Sequence, residues 1–163
     1  MKRFSLSSMR PFLPALALLT LCAILPAAYL PVSGQAFGGS AAVSAALYHF
    51  THASILHLLA NTVALLYFRP RWTTAIVAYL SASLAALSPF TYLALPTCGL
   101  SGLICAAFAR RYVAWNKNPL LFIGINLPFA LLPNFNYRIH ILSFILAYIL
   151  WKIVYHLKAG RKS

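Results

Sequence analysis

The stretch HASILHLLANTVALLYFRPR, residues 52–71, decides the fold. From Ile55 to Phe68 it carries no charge, and it then stops at Arg69-Pro70-Arg71. Proline breaks a helix and pushes the residue before it out of the α region. A run that is apolar to its last residue and closed by cations is the pattern of a membrane-spanning helix whose end meets lipid headgroups. The same stretch contains His57 and Asn61, polar groups that are costly to place in hydrocarbon and are therefore candidates for function.

The pattern recurs on both sides. Residues 11–30 (PFLPALALLTLCAILPAAYL) are apolar and follow Lys2, Arg3 and Arg10. This run is long for a signal peptide and shows no cleavage site, so it reads as a retained span. Residues 31–50 are small and uncharged and read as an outside loop. Residues 73–90 form a third run, and residues 91–98 connect it to Gly99-Leu100-Ser101-Gly102, which opens a fourth helix to Trp115. Arg110, Arg111 and Lys117 close that helix. A short fifth run covers 119–133, Asn134 to Tyr137 make a turn, and a sixth run covers 138–157 before Lys158, Arg161 and Lys162. The expected fold is an all-α membrane protein: one domain over 1–163, a six-transmembrane-helix bundle, with the N-terminus and the C-terminus both cytoplasmic. The charges agree with this division. With the N-terminus inside, 12 of the 13 Lys and Arg fall on the cytoplasmic side and only Arg138 falls outside, which is the asymmetry that orients membrane proteins.

Composition narrows the chemistry. The chain has 163 residues, 62% hydrophobic and 8% charged, against about 25% charged in soluble domains. Its mean hydropathy is +0.82. It has no Asp and no Glu. Paired-carboxylate hydrolysis, a carboxylate-bound metal and a carboxylate proton pump are thereby excluded. A complete Ser-His-Asp triad is also impossible, and acid–base work falls to His, Tyr, Cys or Lys. The +13 charge sits beside hydrophobic runs without a recognition motif, so it reads as topology signal and headgroup contact rather than nucleic-acid binding. Cys22, Cys98 and Cys105 lack metal spacing and read as buried small hydrophobes. No metal and no cofactor are expected.

Four polar residues fall near the outer ends of their predicted spans: His57, Asn61, Ser101 and His140. His57 and Asn61 are four apart and share a helix face. A serine hydroxyl needs a base to become a nucleophile, and His140 is a candidate. Ser101 at a helix start has backbone N–H groups around it that lack intrahelical partners and suit an oxyanion. The side chains of His57 and Asn61 can add donors to the same hole. Gly99 and Gly102 permit tight turns and close helix approach. Ser143 and Ala147 lie three and seven residues after His140 on the same face, and their small size lets the sixth helix approach the fourth.

His57 and Asn61 in the second helix, Gly99-Leu100-Ser101-Gly102 opening the fourth, and His140 with small residues at +3 and +7 in the sixth resemble the rhomboid intramembrane serine proteases. The resemblance spans the six-helix core. It implies Ser101 as nucleophile, His140 as general base and later acid, and an oxyanion hole of His57, Asn61 and the Ser101 N–H. It implies transmembrane protein substrates and a lipid bilayer as surroundings; the compact core without appended domains makes a bacterial inner membrane the expected location. Three departures are visible. The family's GxxxG after the histidine is Ser143 and Ala147 here. The aromatic residue often found four after the serine, stacking on the base, is Cys105, which predicts a less firmly held imidazole. The first outside loop lacks the family's Trp-Arg pair. Three other readings remain: an inactive rhomboid-like binder of membrane helices, kept open by Cys105 and the minimal loop; a rhomboid that trims C-terminal sorting tails; and a small channel or transporter subunit, least favoured because inverted repeats and acidic coupling residues are lacking. His49 and His52 are expected near the outer surface without catalytic roles.

Overall fold

The computed structural model describes residues 10–24, 41–91, 97–132 and 135–160. Among these residues there are helices and short 3-10 turns and no strand. The helices are α1 (Leu13–Ile24), α2 (Ala41–Leu47), α3 (Ile55–Phe68), α4 (Trp72–Leu87), α5 (Ser101–Ala114), α6 (Pro119–Asn126) and α7 (Tyr137–Ala159).

Local chemistry sets the helix ends. Ser54 caps α3 by accepting from the His57 N–H, and Asn118 caps α6 by accepting from the Leu120 N–H ahead of Pro119 at the first position. Asn136 caps α7 by accepting from the Ile139 N–H. At the end of α3, Arg69 turns left-handed at φ 45° while its N–H reaches the Leu65 carbonyl, and Pro70 prevents continuation.

α5 and α7 pack most extensively against each other, with α4 against both. Small residues fill these contacts. Ala78, Ser81, Ala82 and Ala85 of α4, Ala106 and Ala109 of α5, and Ser143 and Ala147 of α7 are wholly buried. Large aliphatic residues face outward: Leu56 is 78% exposed, Val63 68% and Leu131 86%. Helices in water bury large aliphatic residues, whereas helices in lipid associate by close contact between small ones. Aromatic rings complete the core toward the ends of α5 and α6, where Phe122 stacks on Phe144 at 3.8 Å and Tyr112 meets both edge-on.

The structure corrects the expected elements in three ways. Residues 41–50 are not an open loop. α2 and the following turn Tyr48–Phe50 are helical, and Ser44, Ala45, Tyr48, His49 and Phe50 are buried. The small uncharged residues that read as a loop are the ones able to lie close against α4. Second, the run 119–133 is divided, with α6 giving way to a 3-10 turn over Leu127–Leu131 that contains Pro128. Third, the helices are short. By length and composition one described helix, α7, can cross a membrane, and the pair Ala42–Phe50 and Ile55–Phe68, bent by 84°, counts as a second only if taken as one span. The 16 residues of α4 make about 24 Å, less than the roughly 30 Å of a hydrocarbon core. Residues 25–30 of the first predicted span, 31–40 of the predicted loop, 92–96, Pro133, Asn134, Lys2, Arg3, Arg161 and Lys162 lie outside the described residues.

Candidate active site

Ser101 is the first residue of α5 and His140 lies one turn into α7. Their side chains meet: His140 Nε2 is 2.8 Å from Ser101 Oγ, across 39 residues of chain. In the tautomer protonated at Nδ1, Nε2 accepts the serine proton. His140 is buried and Ser101 is partly exposed.

Close approach of α5 to its neighbours makes this contact possible. A methyl group placed on Gly102 would lie 3.0 Å from the Tyr48 hydroxyl and 3.5 Å from Ser143 Oγ. Gly102 and Ser143 therefore face each other where α5 crosses α7, and Ala147 continues the contact one turn on.

The other two polar residues are brought to the same place through Gly99. Its φ of +100° is a conformation that side chains rarely adopt, and an added Cβ would fall 2.6 Å from His57 Cε1 and 3.1 Å from Asn61 Nδ2. His57 and Asn61 thus border the loop that enters Ser101. Asn61 is buried and its Nδ2 has no hydrogen-bond partner among the described residues. An unpaired buried donor is expensive, and here it stands beside the turn that presents the serine. The N–H groups in the first turn of α5 add donors of the same kind.

Three supports are absent from the sequence reading. Phe135 meets the His140 ring edge-on at 4.8 Å and 83°. The aromatic contact expected to be missing because of Cys105 is supplied from the turn before α7 instead. Asn136 donates to the Thr91 carbonyl at 2.8 Å and to Thr97 Oγ1 at 2.6 Å while capping α7. That bond set joins the approach to Gly99 to the helix carrying His140. Asn136 could have been read from sequence, since Asn before an apolar run is a cap signal; Phe135 has no periodic signature.

The third support is the segment 41–50. His49 is fully buried within the protein, with Nε2 3.0 Å from Ser83 Oγ. Tyr79 donates to the Ala46 carbonyl and Tyr48 to the Ala82 carbonyl, so the end of α2 and the turn after it are bound to α4. The Tyr48 carbonyl in turn accepts the Gly99 N–H at 3.0 Å, which fixes the turn two residues before Ser101.

His52 stacks edge-on with His57, ring centres 5.2 Å apart. It lines a cavity of about 250 Å³ with Cys22, Thr51, Ser54 and Leu58. Burial pushes the Cys98 thiol above its usual range, so the cysteine preceding Gly99 is a poor thiolate. Among the described residues no three His or Cys side chains converge as a metal site.

Comparison of the chain with protein-family models, with curated proteins and with solved structures finds no match.

Proposed function

We propose that this chain is a rhomboid-type intramembrane serine protease, a six-span bundle of the bacterial inner membrane with both termini cytoplasmic, which cleaves transmembrane segments of other proteins. The observation that carries the reading is the 2.8 Å contact between Ser101 Oγ and His140 Nε2. The membrane setting is supported by small residues inside and large aliphatic ones outside. The orientation is supported by polarity along the helices. α3, α5 and α7 each carry a site residue in the first turn and cations at or beyond the other end.

In the reaction, Ser101 Oγ attacks a peptide carbonyl as its proton passes to His140 Nε2. The oxyanion rests on the Ser101 N–H, Asn61 Nδ2 and His57. His140 then protonates the leaving amine, the C–N bond breaks, and an ester on Ser101 remains. Water, deprotonated by His140, hydrolyses that ester and restores both groups. The cavity lined by Thr51, His52 and Ser54, next to His57, is a place from which such water can come. A helical substrate must first unwind, because its carbonyls are otherwise paired. Segments containing Gly, Ala, Ser or Pro near the outer face are therefore the preferred substrates.

A fluorophosphonate probe on the purified protein tests the reading. The expected result is labelling of wild type and none of Ser101→Ala. Equal labelling of both variants, or labelling of neither while an intact single-span protein stays bound, would replace the protease with a helix-binding protein.

A further inference from the structure

The chain contains 13 cationic side chains and no Asp or Glu, so no cation has a side-chain carboxylate within the molecule. At the end opposite Ser101, Arg69 and Arg111 meet the same turn of chain, where α3 ends. Arg111 donates to the Phe68 carbonyl at 3.2 Å and lies over the Phe68 ring. Arg69, the next residue after Phe68, places its guanidinium 4.4 Å from the centre of the Phe12 ring, two residues from Arg10. Each of these bonds goes to a neutral group. Like charges gathered in this way repel unless an anion lies among them. Around them stand exposed Tyr67 and Trp115, both about 6 Å from the Arg111 guanidinium. Amphipathic rings of this kind settle at the headgroup level of a bilayer.

From this arrangement we infer that the corner formed by Arg69 and Arg111, beside the start of α1, is a docking site for the phosphodiester headgroup of an anionic glycerophospholipid. Guanidinium forks match phosphate oxygens in geometry and charge. The exposed rings and the aliphatic flank of α3 would carry the acyl chains. The inference rests on the membrane setting proposed above but not on catalysis.

The test is thermal unfolding of the detergent-solubilised full chain, followed by tryptophan fluorescence, with added phosphatidylglycerol, phosphatidylcholine or inorganic phosphate. Phosphatidylglycerol is expected to raise the midpoint by about 5 °C at saturation, and phosphatidylcholine to leave it in place. The double variant Arg69→Gln/Arg111→Gln is expected to lose most of the rise, while Arg138→Gln at the opposite end keeps it. A diffuse attraction to the whole charge would fall only in proportion to the two cations removed of 13, and that result would overturn the site. An equal rise with phosphatidylcholine, or one reproduced by inorganic phosphate, would also overturn it. Should the double variant not fold, wild type suffices. The rise should shrink in 1 M salt, where screening reaches about 3 Å, and a salt-independent rise overturns the inference. Ser101→Ala should respond to phosphatidylglycerol as wild type does, so failure of the protease reading leaves this result intact.

Discussion

Gly99 holds a backbone conformation of φ +100° with His57 and Asn61 packed into the space where a Cβ would stand. Gly99→Ala should therefore displace both donors. The backbone strain alone is worth about 1–3 kcal/mol, and cleavage should fall well beyond what the loss of thermal stability explains when both are measured on one preparation. Asn61→Ala removes a donor and leaves the Ser101–His140 contact in place. Its expected cost is about 2.7–4 kcal/mol in the barrier, read as a drop in kcat with little change in KM. If Asn61→Ala cleaves at the wild-type rate, the amide does not serve the oxyanion. Phe135 bounds the imidazole by ring contact alone. Phe135→Ala should lower kcat, and Phe135→Tyr, which keeps the edge, should largely restore it.

At the scale of elements, α7 reaches its position because its cap belongs to a network. Asn136 caps Ile139 and also ties Thr91 and Thr97. Asn136→Ala should cost about 0.5–2 kcal/mol from the lost cap and more from the unpaired groups left behind, seen as a lower unfolding midpoint. Activity should fall with it, because the same bonds set where His140 stands. α2 acts on the site by a different route. The turn Tyr48–Phe50 that follows it is bonded to α4 through His49 and Ser83, and it carries the Tyr48 carbonyl to the Gly99 N–H. Ser83→Ala leaves the His49 ring without that partner in the core, at a cost of about 1–3 kcal/mol. The expected signs are a lower midpoint and reduced fluorophosphonate labelling of Ser101, whereas Ser83→Thr should retain both. Unchanged labelling in Ser83→Ala would mean that the brace does not reach the nucleophile.

At the scale of the whole molecule, the site depends on how closely three helices cross. Ala147 is fully buried where α7 meets α5, and Ala147→Leu adds volume to a contact with no room. Overpacking costs about 1–3 kcal/mol; the expected outcome is a folded, helical protein with lost labelling, checked by circular dichroism beside the probe. The twelve cations assigned to one side led to the expected orientation, and a fluorescent protein fused after Ser163 should mature only if that end is cytoplasmic. The sequence by itself determined the all-helical class, the run ends at Arg69-Pro70-Arg71, the exclusion of carboxylate chemistry and the candidates Ser101, His140, His57 and Asn61. Charge, proline and apolar periodicity act locally and can be read along a chain. The tertiary structure alone decided that Ser101 and His140 share a hydrogen bond, that the described part of 41–50 is a buried brace, that Phe135 lies edge-on against His140, and that Arg111 reaches the Phe68 carbonyl beside Arg69. All but the Phe135 contact join residues far apart in the chain, fixed by how closely small side chains let helices approach, and no local pattern records that distance.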